Sequence, residues 1–305
     1  MTLIALLIGL IIERLATQLF HWRRMRWLDR IIDQGFVLAD RFANWPALIP
    51  VFLIAIVLVL PVAAITIALV DRLFGFPHLL LAVVVLFFSL GPNDIGEDVN
   101  EYCKALEDGD EDHIRQTAKA LVESDVPDDV LDRIRCVEAA VCVQANNRLF
   151  AVIFWFVLLG PLGPLGAWAY RVTDLIRRRA VFRAARDKDA VETSNTVLDA
   201  TVMLHAWLAW IPARLTAIGY AVAGHFDAAL AAWRSPAEES GSISERSENL
   251  LARVGVGALD LDDAAGEDLT ERGVRGATAA NRLVFRLLLI WAVIIAAMTL
   301  YGWTM

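Results

Sequence analysis

Cysteine is scarce. Cys103, Cys136 and Cys142 are odd in number and lack a zinc-type spacing, so neither a disulfide framework nor a metal-stapled fold is expected. The thiols read as ordinary reduced thiols. The sequence also has no P-loop, no G-x-G-x-x-G, no H-E-x-x-H and no nucleophile elbow. Their absence removes the commonest phosphate-cradling, dinucleotide, zinc-hydrolase and serine-hydrolase sites. No internal repeat of the kind many transporters show is visible. A net charge of −8 at pH 7 is no argument for nucleic acid. The first apolar run has no basic segment before it and no small-residue cleavage site after it, so no cleavable signal is expected.

What the chain does have is apolar length. It is 57% hydrophobic with a mean hydropathy of +0.53, where soluble domains run about 45–50% apolar. The excess is concentrated in runs, so the expected class is an all-α integral membrane protein. Four runs read as full transmembrane helices, at 2–20, 47–70, 77–90 and 282–304. Between the first two, the basic, Trp-rich 21–30 and the amphipathic stretch to Arg41 read as a helix on the membrane surface.

The stretch from Ala145 to Arg179 organises the rest. It is polar at Asn146, Asn147 and Arg148, apolar from Leu149 to Leu159, and interrupted at Gly160–Pro161 and Gly163–Pro164. It leaves through Trp168 and Tyr170 into a block of arginines, as a chain does at a membrane interface. Two Gly-Pro steps break a helix, and freed backbone at membrane depth must be buried by protein. The region 91–148 has helical periodicity with acids outside, and breaks at Gly109–Asp110 and Val126–Asp128. Residues 171–188 suit a basic interfacial helix, and 191–233 suit helices packed on the membrane region. Residues 235–281 read as a mobile acidic loop with a short helix near 246–254.

The arginines set the expected topology. The blocks 23–30 and 171–188, with Arg272, Arg275, Arg282 and Arg286, belong on the cytoplasmic side. Three apolar runs separate the two blocks, so one must fail to cross, and 149–170 is the candidate for a re-entrant segment. Both termini are then periplasmic, in a multi-pass protein of the bacterial inner membrane with its polar regions in the cytoplasm.

Four places can carry chemistry. Glu13 interrupts the first span, either as a functional carboxylate or as a group snorkelling with Arg14 near the end. Asp94, Glu97, Asp98 and Glu101 share one helical face. Asp94, Glu97 and Asp98 are candidate Mg²⁺ ligands, and a solvated acidic face at a helix N-terminus is the alternative. Asn146, Asn147 and Arg148 can bind a ligand, cap a helix or meet headgroups. In the block 204–215, His205 is a core or ligand histidine. Arg214 beside a membrane core needs a carboxylate or phosphate partner, with Glu13, Asp174 and Asp199 as candidates.

The start MTLIALLIGLIIERL with the following HW, Phe154-Trp155, YRVTDLI (170–176), W-L-x-W-I-P-A-R-L (207–215) and GHFDAALAAW (224–233) occur in an order that resembles the AmpE family. These are bacterial inner-membrane proteins usually encoded beside the AmpD amidase of peptidoglycan recycling. The family in turn resembles CobD/CbiB, the membrane enzyme that joins an aminopropanol unit to a corrinoid carboxylate in cobalamin synthesis. Asp98-Val99, Gly109-Asp110 and Pro212-Ala213-Arg214-Leu215 match the pattern of that enzyme. Where it has acid-Asn and Ser-Asp-Gly before Phe-Trp, this chain has Val143-Gln144 and Asn146-Asn147-Arg148. Amidation keeps hydrogen bonding and removes the charge that holds a metal or takes a proton. The resemblance therefore implies a signalling modulator of β-lactamase induction, linked to an AmpD-like amidase and binding a small cell-wall-derived ligand without catalysis. Glu13, Asp94, Asp98, Asn146, Asn147, Arg148, Asp174, His205 and Arg214 are the candidate lining of its pocket. A ligase using Mg and ATP is the alternative, and a muropeptide transporter a second.

Overall fold

The structure, a computed structural model, describes residues 25–41, 45–69, 76–90, 94–186, 193–235, 241–261 and 267–301. The expected first span, with Glu13, lies outside the described residues. Among the described residues every regular element is helical.

Helix α1, Arg26–Arg41, buries Leu28, Ile32 and Phe36, one residue per turn, and exposes Trp27, Val37 and Leu38. The amphipathic helix that the pattern predicts is thus present from 26 to 41, and residues 21–24 lie outside the described residues. Helix α2, Leu48–Leu69, has 22 residues and spans about 33 Å, enough for a hydrocarbon core of about 30 Å. Pro50 sits in its first turn, where no helical N–H is lost. Phe52, Val57, Leu60 and Ile67 are exposed, as lipid contact requires. Helix α3, Phe76–Ser89, is apolar but only 14 residues long.

The acidic region folds as α4 (Ile95–Asp108), α5 (Glu111–Val122) and α6 (Val130–Ala145). Asp94, Asp110 and Asp129 each cap a helix through a side-chain oxygen. Gly109 closes α4 with φ +69°, a conformation that costs glycine little. Val99, Tyr102, Ile114, Ala118, Leu121, Val137 and Val141 form the shared core.

Helix α6 does not stop where the polar sequence ends. It continues through a π-turn, Asn146–Phe150, into α7, Ala151–Leu158. The chain then breaks at a 3₁₀ turn, Gly160–Leu162, and returns as α8, Gly163–Arg186. One Gly-Pro step breaks the helix and the other opens the next one, because Pro164 falls in the first turn. The basic stretch from 171 as far as 186 therefore continues α8 and is no separate helix, and residues 187–188 lie outside the described residues. The two arms are pressed together: a Cβ on Gly166 would lie 2.6 Å from the Trp155 carbonyl oxygen, and one on Gly163 would collide with that of Phe156. At the tip, His78 Nε2 lies 2.8 Å from the Pro161 carbonyl.

Helix α9, Thr193–Ala223, is a single 31-residue helix. Its start packs on Val172, Ile176 and Ala180 of α8, and its last third meets Val141 and Phe150. Then come α10 (Phe226–Arg234), α11 (Ile243–Leu259) and α12 (Leu269–Leu300). The expected mobile loop at 235–281 is thus mostly helix, because a Ser242–Glu245 capping box starts α11 and Asp268 caps α12.

Four helices among the described residues are long and apolar enough to cross a membrane: Leu48–Leu69, Val130–Leu158, Thr196–Ala223 and Leu269–Leu300. The second and fourth expected spans are among them, and the third is the shorter α3. In Val130–Leu158 and Thr196–Ala223, 67% and 50% of the apolar window is buried, against 22% in the other two. Their apolarity serves contact with protein.

Candidate functional site

The π-turn lies where the polar helices meet the hairpin. A π-turn inserts one residue into the helical ladder and fans out the side chains around it. Here the Ala151 N–H reaches back to the Asn146 carbonyl. Asn146, Asn147 and Arg148 are all buried. Asn146 Nδ2 donates to Asn147 Oδ1 at 3.1 Å, and Thr216 Oγ1 of α9 donates to Asn146 Oδ1 at 3.0 Å.

Arg148 holds three helices together. Its Nη1 meets Asp98 at 2.7 Å, its Nη2 meets Glu123 at 3.1 Å, and its Nε donates to Gln144 at 3.0 Å. Glu123 also accepts from Arg178 Nη1 at 2.5 Å. It does so from a left-handed backbone, φ +60°, at the end of α5. Arg178 Nε then donates to Asp174 at 2.9 Å, which also receives Arg171 at 2.8 Å and Arg177 at 3.1 Å. The result is one continuous chain of charge, Asp98–Arg148–Glu123–Arg178–Asp174.

Burial opposes a charge on Asp174, but Arg178, Arg177 and Arg171 outweigh it and hold the carboxyl below its ordinary range. Glu123 behaves alike: burial raises it, Arg178 and Arg148 lower it, and the net shift is down. Burial pushes Arg171 down to about 10 despite Asp174. Glu248 of α11 goes the other way, raised by burial more than Arg177 lowers it.

Beside this network is a cavity of about 750 Å³. Glu123, Gln144, Asn147, Arg177, Arg178 and Glu248 supply its polar wall, and Val143, Val181 and Phe182 part of its apolar wall. Arg177 Nε and Arg178 Nη2 are buried and have no hydrogen-bond partner among the described residues. The cavity combines apolar surface, amides and the partly exposed guanidinium groups of Arg177 and Arg178, which suits an anion with an apolar body.

Of the expected residues, the structure brings Asp98, Asn146, Asn147, Arg148 and Asp174 together. His205 is buried against Tyr170, ring centroids 5.1 Å apart, within electrostatic reach of Asp174. Its Nδ1 has no partner among the described residues. Asp94 stands apart as the α4 cap, its Oδ1 accepting from Gly96 N at 3.0 Å. Arg214 is also elsewhere, and its expected carboxylate is absent among the described residues. Its guanidinium lies 3.8 Å from the Trp210 ring centroid and donates to the Trp210 carbonyl at 2.9 Å. An aromatic face and a carbonyl supply what the sequence assigns to an acid.

The carboxylates of 94–101 do not fit Mg²⁺. Asp94 is occupied with backbone N–H, Asp98 with Arg148, and Glu97 has its carboxyl pushed up by burial and by Asp94, Asp98 and Glu101. Among the described residues no three metal-binding side chains converge. Sequence reasoning missed Glu123, Glu248, Arg171, Arg177 and Arg178. The arginines carried a signal, since they stand at i−3, i+3 and i+4 from Asp174, on one helical face.

The family described as "Regulatory signalling modulator protein AmpE" matches residues 1–305. The chain belongs to the AmpE family. It is 26% identical over 307 residues to "Protein AmpE" of Shigella flexneri, covering 99% of each chain. It is also similar to "Cobalamin biosynthesis protein CobD" of Stutzerimonas stutzeri (strain A1501), 27% identical over 159 residues, 52% of this chain and 49% of the relative. "Cobalamin biosynthesis protein CobD" of Chromobacterium violaceum is 25% identical over 161 residues. The chain thus spans about half the length of these two relatives. No solved structure matches it significantly. The AmpE assignment and the apolar helices make this a membrane protein with a regulatory family identity.

Proposed function

We propose that this AmpE-family member is a membrane receptor for a small anionic, cell-wall-derived ligand, and that it modulates β-lactamase induction in step with peptidoglycan recycling and an AmpD-like amidase. The observation that supports it is the cavity beside the π-turn, which Asn147, Arg177 and Arg178 line and onto which both guanidinium side chains are partly exposed. In this reading Arg177 and Arg178 receive a ligand carboxylate and Asn147 and Gln144 its amides. A ligand that prefers one arrangement of the Glu123–Arg178 pair shifts the population of α5 relative to the hairpin. The polar helices face the cytoplasm of the bacterial inner membrane.

The test is calorimetry with a muramyl tripeptide on the protein in nanodiscs. We expect saturable binding that weakens by at least about tenfold, roughly 1.4 kcal/mol, in Arg177→Gln. Absence of binding at millimolar peptide, or equal affinity in Arg177→Gln, would sink the proposal.

A second reading is a ligase that uses MgATP to join an amine to a carboxylate; its support is the distant likeness, over about half of the chain, to relatives named for cobalamin biosynthesis. Saturable MgATP binding by the protein in nanodiscs, with no binding of the muramyl peptide, would support it over the receptor.

A further inference from the structure

Helix α12 carries four arginines, and the structure treats them in two ways. Arg272 is buried and paired with Glu138 of α6. Arg275 meets Glu267, Nε to Oε1 at 2.7 Å. Arg282 and Arg286, one turn apart, are exposed and have no carboxylate partner among the described residues. They are also the last charges before the apolar run 287–300. An arginine pair at the edge of hydrocarbon requires a counter-charge.

A groove of about 760 Å³ runs along this helix. Gly224, Ala258, Ala279 and Leu283 are among its lining, with Arg282 and Arg286 at one end and two carboxylates near the other, Glu271 and Glu107, the latter next to Leu106, which packs at Gly273. Eleven residues of helix, about 16 Å, separate Glu271 from Arg282, so an anion settles at the arginine end. Beyond that end Phe285, Leu289 and Val293 are exposed, an apolar track that suits acyl chains.

We propose that this groove is a binding site for an anionic phospholipid, with the phosphate between Arg282 and Arg286 and the chains on Phe285, Leu289 and Val293. Basic pockets beside apolar helices bind such headgroups, and two adjacent guanidinium groups present paired donors to phosphate oxygens. The site is separate from the cavity at the π-turn and does not depend on what that cavity binds.

Native mass spectrometry of the full chain, after exchange into a neutral detergent, tests it. Phosphatidylglycerol and phosphatidylcholine of equal chain length are offered together. We expect at least about fivefold more phosphatidylglycerol adduct, equal retention of the two lipids in Arg282→Ala/Arg286→Ala, and a persisting preference in Arg282→Lys/Arg286→Lys. Both side chains are exposed, so an unchanged melting temperature accompanies the loss. Equal retention of the two lipids in the wild type, or undiminished preference in the alanine variant, overturns the site. Displacement of the lipid by submillimolar inorganic phosphate also overturns it, since the site would then serve a free anion.

Discussion

Asp174 is where the sequence and the structure say most about each other. Its one carboxylate accepts from three arginines of its own helix, in a place that water does not reach. Removing one partner from such a group leaves uncompensated buried charge. We expect Asp174→Asn to destabilise the protein by about 3–5 kcal/mol, seen as a clear fall in melting temperature in detergent. A melting temperature within a degree of wild type would mean that the arginines find other partners. Glu248 should respond to pH in the opposite sense to Asp174. Its carboxyl is raised from an ordinary 4.5 by burial, so its contribution is present below that value and is lost as pH rises through the raised one. Asp174 and Glu123 are lowered, so theirs is present above the ordinary carboxylate range and is lost on acidification. Glu248→Gln should therefore flatten the decline in melting temperature above pH 4.5 and leave the acid limb as it is. A melting profile with the same slope in both proteins would exclude Glu248 as the group responsible.

At the scale of elements, the hairpin α7–α8 rests on glycines. Gly166 lies against the Trp155 carbonyl, and α7 has little room to recede because Ala151, Val152 and Ile153 are fully buried. Gly166→Ala should cost about 1–3 kcal/mol of stability. Gly160→Ala meets open space but must keep a φ of +53°, so about 1 kcal/mol is expected. If thermal melting shows Gly160→Ala to be the worse of the two, the close approach of the arms is not what stabilises the hairpin. The helix break at Gly160, the helical character and breaks of the acidic region and the amphipathic α1 were legible, because each depends on local signals. The start of α11 was legible too, in the Ser242-x-x-Glu245 pattern, but it was hidden by a composition that suggested a loop. What local reading could not supply was the partner of each charge. Glu123 reaches Arg148 and Arg178 from 25 and 55 residues away. The arginines of α8 were read as facing lipid because their acid, Asp174, counts as one charge among many until the helix is built. Arg214 was assigned an acid because a sequence does not show that Trp210 can take its place.

At the scale of the whole molecule, ion pairs report which parts share a side of the membrane. Asp33 of α1 holds Arg179, Glu123 holds Arg148 and Arg178, and Glu138 holds Arg272. These pairs put α1, the three acidic helices, the end of α8 and the start of α12 on one side. The arms of the hairpin, Asn146 to Leu158 and Gly163 to Arg177, are each about 20 Å long, short of the roughly 30 Å hydrocarbon core. We propose that this segment enters and returns within that depth. On the topology proposed here α12 leads away from the shared side, and the arginine density favours that side as the cytoplasmic one. Single cysteines placed on a cysteine-free background test it in intact cells. Thiols at Asp128 and Arg186, both exposed, should resist a membrane-impermeant maleimide until the inner membrane is opened, while one at Tyr301 should label from outside. Labelling of positions 128 and 186 from opposite sides would mean that the hairpin crosses, and the pairing of Glu123 with both arms would then have to be abandoned.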